Sequence, residues 1–183
     1  MTAGWGAVDR NLMRIIQDVK AKAEWLYGAS SGKNCLKAFL TDGTAAMVLY
    51  RLMQACHKAG LGPLAMVFNK LNAVFCRCII GRGADFGERF VLVHSLCVVI
   101  NSSVKGGNDI KIEHGVTIGA EKDESPVLGN NVFIGAGAKI VGAVKIGNNV
   151  KIGANAVVVK DVPDNCTAVG NPARVVEEKE KMF

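Results

Sequence analysis

The amino-acid sequence predicts a mainly β fold, a parallel β-helix of six-residue repeats preceded by a helical region. Three observations predict it: an aliphatic residue recurs every six positions from Ile80, glycine reaches 21 of 183 residues, and the first 79 residues show helical spacing instead. We therefore divide the chain into a helical N-terminal region over 1–79, a β-helix domain over 80–163 and a C-terminal tail over 164–183.

The repeat is the stronger of these signals. Stepping by six from Ile80 to Val158 reaches fourteen positions, and thirteen are Ile, Leu, Val or Phe, far above the share of these types in the chain, 54 of 183 residues. Each repeat predicts a short strand that points its aliphatic residue into a narrow prism, followed by a bend where glycine fits. Three repeats make one triangular coil, so about five coils are expected. Only Lys122 breaks the series, and the charged stretch 120–126 is predicted to leave the core as a loop.

Apolar residues at helical spacing predict three helices before the repeat. They cover roughly 8–27, 47–56 and 62–75, the last opening at a Gly-Pro pair. Residues 28–33 are predicted to be a linker of small residues. We expect the helices to cap one end of the prism, because an open solenoid end exposes its apolar interior.

The net charge of +6 comes entirely from the helical region, where residues 1–79 carry ten Lys and Arg against four Asp and Glu. A basic face could meet nucleic acid, membrane lipid or another anionic partner. Because no basic residues are adjacent in sequence, we instead expect a solvated helical face and no nucleic-acid partner.

The six cysteines lie mostly in apolar stretches and lack the paired spacing of a zinc site, so they are expected to be buried, reduced thiols. No signal-peptide pattern opens the sequence, and no apolar run approaches the length of a membrane span. Together these features predict a cytoplasmic protein without a membrane span.

From residue 80 onward, several stretches match one family in order and spacing: 94–100, 112–119, 132–142, 151–159 and 170–176. They resemble the serine O-acetyltransferase-like branch of the hexapeptide-repeat acyltransferases, and a weaker likeness extends back to residue 44. The resemblance implies a left-handed β-helix and transfer of an acetyl group from acetyl-CoA. It also implies a homotrimer with active sites at the subunit boundaries.

The resemblance assigns His94 as the base that takes a proton from the acceptor hydroxyl, which suits an imidazole that titrates near neutrality. His114 is expected on the neighbouring coil, either positioning substrate or filling the corner as a structural residue. His57 is expected to be a surface residue. Carbonic anhydrases of similar fold bind zinc through three histidines of the β-helix, and only His94 and His114 lie in the repeat here. No metal is expected.

The family binds the pantetheine arm of CoA in a groove between prisms, against small residues. Gly135-Ala136 and Gly153-Ala154 match those positions and lie eighteen residues apart. The cations that the resemblance suggests for the CoA phosphates are Lys151, Lys160 and Arg174.

The sequence departs from the family where an amino acid would be gripped. Val93 and Ile79 stand where the family has aspartates, and Ser125 replaces a histidine before Pro126. Ser125 and Glu113 remain candidates for contacting the acceptor. The acceptor could be serine or a related small alcohol, or a sugar of polysaccharide or nucleotide-sugar synthesis. A third possibility, from another class, is a non-catalytic trimeric scaffold that binds a partner enzyme.

Overall fold

A computed structural model describes the backbone of residues 5–177 and the side chains of residue 11 and of 13–176. The last six residues of the predicted tail therefore lie outside the described residues. Four helices come first in the described chain: α1 (Trp5–Tyr27), α2 (Gly32–Phe39), α3 (Thr44–Lys58) and α4 (Gly62–Phe75). None of the helices in this part of the chain is long and apolar enough to cross a membrane.

Short strands then form the β-helix, confirming the predicted fold class. In chain order they are β1 (Ile79–Ile80), β2 (Asp85–Phe86), β3 (Val91–Leu92), β4 (Val99–Ile100), β5 (Lys105–Gly106), β6 (Lys111–Ile112), β7 (Thr117–Gly119), β8 (Val127–Leu128), β9 (Phe133–Ile134), β10 (Lys139–Val141), β11 (Lys145–Ile146), β12 (Lys151–Ile152), β13 (Val157–Val158), β14 (Cys166–Val169) and β15 (Arg174–Glu177).

The strands form three faces of a prism. Face A holds β1, β4, β7, β10 and β13; face B holds β2, β5, β8 and β11; face C holds β3, β6, β9, β12 and β14. Pairing within these faces is parallel, and β15 alone turns back antiparallel to β14. We call the turns from face C to face A, at 94–97, 114–115, 136–137 and 154–155, the CA edge. The turns from face A to face B, which include 120–126 and 142–144, form the AB edge.

The uniform six-residue register predicted from sequence is wrong at two places before residue 158 and again in the last coil. Ile80 pairs with Ile100, twenty residues on, and Ile118 with Ile140, twenty-two on, whereas Ile100 and Ile140 pair with residues eighteen positions on. In the last coil Ile152 pairs with Ala168, only sixteen residues on. Two residues are thus inserted at the turn that contains His94 and four at the loop 120–126. The series stays apolar because each repeat has a second inward position two residues before the first, as at the buried Val98.

The predicted loop 120–126 is a compact hairpin turn rather than a long excursion. Glu121 and Glu124 form an isolated bridge around Lys122 and Asp123, which both have positive φ. Two successive residues with positive φ are typical of a tight hairpin turn. Pro126 returns to a buried inward position, so the loop interrupts the coil without opening it.

The repeat also continues past residue 163, where the sequence analysis ended it. Val162 bridges Ile146 in parallel, and β14 pairs in parallel with β12, with Ala168 fully buried in the prism. The fifth coil therefore closes at Val169. The sequence concealed this end because Pro163 and Asp164 interrupt the aliphatic pattern there.

The helical region caps the first coil, as predicted. Met47, Tyr50 and Met53 of α3 join the same buried cluster as Ile80 and Phe86. The expectation of a solvated basic face is wrong for two of its cations, Lys22 and Arg51, which are buried. Arg51 donates to Asp18 at 2.7 Å and to the carbonyl oxygens of Phe86 and Gly87 at 2.9 and 2.6 Å, and it thereby closes the open end of the strands.

Helix α2 was missed by the sequence analysis, which placed a linker over residues 28–33. Ser31 caps it by accepting a hydrogen bond from the Asn34 N–H at 3.3 Å. Burial of the thiols was also overestimated, because only Cys78 is buried and Cys97 is exposed. All six cysteines are free.

Helix α1 lies across face C and descends it. Ala21 packs against Val91 and Val93 on the first coil, and the Trp25 ring lies 5.4 Å from the Phe133 ring two coils further down. The helix therefore brings its own side chains to the CA edge beside His94.

Candidate active site

The two histidines of the repeat meet at the CA edge. Leu92 pairs with Ile112 in register, and each is followed two residues later by a histidine. The His94 and His114 side chains are therefore on successive coils, with ring centroids 6.1 Å apart and roughly half of each side chain exposed. The outward direction expected for His94 and the shared edge expected for the pair are what the structure shows.

The partner of His94 comes from the helical region. Asp42, in the turn between α2 and α3, places Oδ2 2.8 Å from His94 Nδ1. A carboxylate only accepts hydrogen bonds, so this contact assigns the proton of a neutral imidazole to Nδ1 and leaves Nε2 free to accept one. The structure thus supplies an orienting acid for His94, although the positions of the family's own acids are apolar.

Gly43 is what lets this turn approach the strand. Its φ of +81° is in the left-handed region, and a Cβ there would meet the carbonyl oxygen of Leu92 at 2.5 Å. Any larger residue at position 43 would push the turn away from strand β3, which ends at Leu92, two residues before His94. The Asp42-Gly43 pair therefore holds the turn close to the CA edge.

A buried lysine lies directly behind the turn. Lys22 of α1 is fully buried, and its ammonium group donates to the carbonyl oxygen of Asp42. Burial lowers the pKa of Lys22 to about 8, and the carboxylates of Asp42 and Glu113 oppose that shift. Glu113 in turn has Oε2 3.8 Å from His114 Nδ1. Each of the two histidines thus has a carboxylate beside it, and both carboxylates act on the same amine.

Further along the CA edge the side chains become small. Gly135 is followed by the half-buried Ala136, and Gly153 by the exposed Ala154 one coil below. A Cβ on Gly135 would meet the Ala154 nitrogen at 2.7 Å, so the backbone of successive coils is in close contact there. The edge offers a narrow, nearly smooth strip below the two histidines, suited to a slim chain that binds through its amides.

Comparison with known proteins agrees with this geometry. A family model described as bacterial transferase hexapeptide (six repeats) matches residues 125–160. The serine acetyltransferase of Helicobacter pylori strain 26695 is 40% identical over 141 residues, covering 75% of this chain and 82% of the relative. A putative colanic acid biosynthesis acetyltransferase from Escherichia coli strain K12 is 38% identical over 130 residues, covering 69% of this chain and 80% of that one.

Solved structures show the same architecture. A serine acetyltransferase from Neisseria gonorrhoeae superposes with a TM-score of 0.85 at 32% identity, covering 98% of this chain and 69% of that chain. A serine acetyltransferase in complex with CoA gives a TM-score of 0.83 at 28% identity, covering 92% and 70%. The chain belongs to the serine acetyltransferase family. It is an acetyl-CoA-dependent O-acetyltransferase of this kind, with acetyl-CoA as co-substrate.

Two positions at which the resemblance led us to expect acids carry apolar side chains. Val93 is buried against α1, and Ile79 is half-exposed on face A beside Val99. Neither can offer charge to an acceptor or to His94. The acid that the structure places beside His94 is Asp42, in the turn between α2 and α3.

The predicted phosphate and acceptor contacts are spread over several edges of one chain. Arg174 lies at the foot of the CA edge, opposite Val169 in the β14–β15 pair. Lys151 lies on face C and Lys160 follows face A, so neither shares that edge. Ser125 lies at the AB edge, where its hydroxyl donates to Asn101 at 3.2 Å, away from His94. A single chain therefore brings together His94, His114 and Glu113 but not Ser125.

Sequence reasoning missed Asp42 and Lys22. Asp42-Gly43 is a turn pair immediately before a helix, which was a usable signal for a close approach of the backbone. Lys22 gave no signal beyond lying on the same helix as apolar neighbours. Among the described residues, no group of three or more His, Cys, Asp or Glu is arranged to hold a metal ion.

Proposed function

We propose that His94 is the general base of an O-acetyl transfer and that Asp42 orients it. The observation that carries this proposal is the 2.8 Å contact between Asp42 and His94 Nδ1. With its proton held on Nδ1, the imidazole can take the acceptor hydroxyl proton on Nε2. The acceptor oxygen then attacks the thioester carbonyl carbon, and the tetrahedral intermediate expels the thiolate of CoA. The imidazolium returns its proton to that thiolate, so His94 ends as it began.

We propose that the pantetheine arm runs along the small-residue part of the CA edge, over Gly135, Ala136, Gly153 and Ala154. Bulky side chains are absent there, and successive backbones are close enough to present amide groups to the arm. Arg174 would meet a phosphate at the foot of the edge. Lys151 and Lys160 would contact a phosphate at this edge from a second copy of the chain, whose faces would then lie against it.

We therefore also propose a homotrimer with its three sites at the boundaries between copies. The half-exposed apolar residues beside the CA edge, Ile79, Leu96 and Val99, support a second protein wall at this place. Sedimentation equilibrium at several protein concentrations would test it, with three times the mass of the chain as the expected result. Six free cysteines and the need for acetyl-CoA favour the cytoplasm as its location.

For the acceptor, we propose a hydroxyl of a sugar. The groups around His94 are carboxylates and imidazoles, namely Asp42, Glu113 and His114, which accept hydrogen bonds from hydroxyls. The carboxylates of Asp42 and Glu113 already contact His94 and His114, and the apolar Val93 and Ile79 add no further acid for the ammonium group of an amino acid. A zwitterion without such partners loses several kcal/mol when it leaves water. The exposed loop carboxylates of Glu121, Asp123 and Glu124 would add acceptors for further hydroxyls if a neighbouring copy brings them to the edge.

Serine is the second candidate, and one exposed cation favours it. Arg77 lies beside the CA edge, because its carbonyl oxygen accepts a hydrogen bond from the Cys97 N–H at 3.0 Å. Its guanidinium could hold a carboxylate. If serine is the acceptor, Arg77→Gln should raise the KM for serine roughly tenfold or more, the loss expected for one charge-assisted hydrogen bond.

The test is release of free CoA thiol from acetyl-CoA with a panel of acceptors, followed by mass analysis of the product. We expect saturable turnover with amino or deoxy sugars or their nucleotide derivatives, and a linear, unsaturated response to serine. A Michaelis constant for serine at ordinary cellular amino-acid levels would overturn the sugar proposal. No turnover with any acceptor, together with intact CoA binding, would instead favour a scaffold that binds a partner enzyme.

A further inference from the structure

We propose that Lys22 is a positioning residue for catalysis, which holds the Asp42 turn against the strand and so keeps the Asp42 carboxylate on His94. The inference rests on the proposed role of His94 as base. It concerns a group on α1 that touches neither substrate nor cofactor in the proposed mechanism.

The burial of Lys22 is the first argument. A lysine side chain is almost never fully buried without a partner, because taking an ammonium group out of water is costly. Lys22 is at 0% exposure, and its amine donates to the carbonyl oxygen of Asp42. Helix α1 therefore bears the desolvation cost of a buried ammonium group at the place where Lys22 meets the turn that contains Asp42.

The surrounding groups are the second argument. The negative charges acting on the amine are Asp42 and Glu113, the carboxylates beside His94 and His114 respectively. A Cβ on Gly43 would lie 3.0 Å from Lys22 Nζ, so the amine is packed against the turn itself. Lys22 is thus packed against the backbone of the turn, and both carboxylates act on its amine.

Apart from the Asp42–His94 contact, the side-chain hydrogen bonds that the structure shows for residues 41–44 stay within the helical region. Thr41 and Thr44 both donate to the carbonyl oxygen of Ala38, which shapes the turn but does not attach it to the β-helix. Gly43 touches the Leu92 carbonyl only through van der Waals approach. Asp42 and His94 are both about half exposed, so their own ion pair is expected to be weak in water. Lys22 supplies the buried anchor that an exposed pair lacks.

The tautomer of His94 reports the position of Asp42 without any turnover. While Asp42 accepts from Nδ1, a neutral His94 should carry its proton there; a solvated imidazole without that partner prefers Nε2. Long-range proton–nitrogen NMR spectra of ¹⁵N-histidine-labelled protein in alkaline buffer distinguish the two forms. The titratable groups that the structure places beside His94 are Asp42, whose Oδ2 lies 2.8 Å from Nδ1, and His114, whose ring centroid is 6.1 Å away.

We expect Lys22→Met to shift His94 from mainly Nδ1–H to mainly Nε2–H and to lower kcat by about tenfold to a hundredfold, the range for a misplaced catalytic group. The KM for acetyl-CoA should stay within about twofold, since the CoA strip lies further along the edge. Lys20→Met, an exposed lysine on the same helix, is the matched control and should change neither reading.

Lys22→Gln, too short to reach the Asp42 carbonyl but polar, should reproduce the methionine variant. An unchanged His94 tautomer in a folded Lys22→Met or Lys22→Gln variant overturns the proposal. If both variants lose CoA binding together with their fold, Lys22 is a structural residue and the positioning role is overturned as well. Failure of the wild-type protein to transfer acetyl groups would refute the proposed function, but it would leave the tautomer result standing on its own.

Discussion

In the β-helix, successive coils place similar residues at the same position. His94 and His114 meet at one edge, and Ala136 and Ala154 follow in the same row. The described part of the helical region has no such repeat. Asp42, Gly43 and Lys22 each come from a single position without an equivalent elsewhere in that region. The repeat supplies a surface with regularly spaced positions. The irregular region supplies the asymmetry that selects one histidine, since Asp42 meets His94 while His114 has only a looser contact with Glu113.

The first way to test this division is to block the repeated strip. Ala154→Leu places a bulky side chain on the exposed part of the CA edge, and we expect calorimetry to find no CoA binding. Ala143→Leu is the matched control, because Ala143 is equally exposed in a turn of the AB edge. Unchanged CoA affinity in Ala154→Leu would place the cofactor on another surface.

The second way is to remove the histidine that the asymmetry selects. His94→Ala should lower kcat by roughly a hundredfold or more while the CoA dissociation constant stays the same, because the general base acts on the acceptor and not on CoA. His114→Ala should have a smaller effect, mainly on the KM of the acceptor, and the exposed His57→Ala should have none. Equal losses from the His94 and His114 variants would mean that the coils contribute symmetrically after all.

The smallest expected effect is on stability and belongs to the helical region alone. The pKa of Lys22 is lowered to about 8 in the folded protein, and the unfolded chain keeps the ordinary value of 10.5. Between pH 8 and 10.5 the unfolded state binds more protons, so the contribution of Lys22 to the free energy of unfolding rises with pH through that window.

Urea unfolding of the wild type and of Lys22→Met across that window should show the wild type gaining on the order of 1–3 kcal/mol relative to the variant. The same comparison with Lys20→Met should give a constant difference. If the free energies of unfolding of the wild type and of Lys22→Met change in parallel with pH, the folded protein does not shift the pKa of the Lys22 amine.

The fold was largely predictable because the same six-residue pattern of apolar residues recurs many times in the sequence. Thirteen of fourteen aliphatic positions predicted the prism, even though the register slips by two residues at His94 and by four at 120–126. Those slips were invisible because Val98, Val104 and their equivalents fill a second inward position of the same chemical type. Helix α2 was missed because it has only eight residues and its apolar face is mostly exposed.

The site was predictable only where it lies on the repeat. His94, His114 and the Gly-Ala strip follow from spacing and resemblance, whereas the Asp42–His94 contact joins residues 52 apart in sequence across two kinds of structure. No periodicity encodes such a contact. The apolar Ile79 and Val93 did indicate that the acid had to come from elsewhere, without indicating from which element.

A double-mutant cycle on kcat measures whether an acid of the helical region acts through a histidine of the β-helix. Asp42→Asn, His94→Ala and the double variant are measured with the same acceptor at saturating acetyl-CoA. If Asp42 acts by orienting His94, Asp42→Asn should lower kcat about tenfold or more in the wild-type background and leave the residual rate of His94→Ala unchanged. A drop of the same size in both backgrounds would contradict the account, because Asp42 would then serve the reaction without His94.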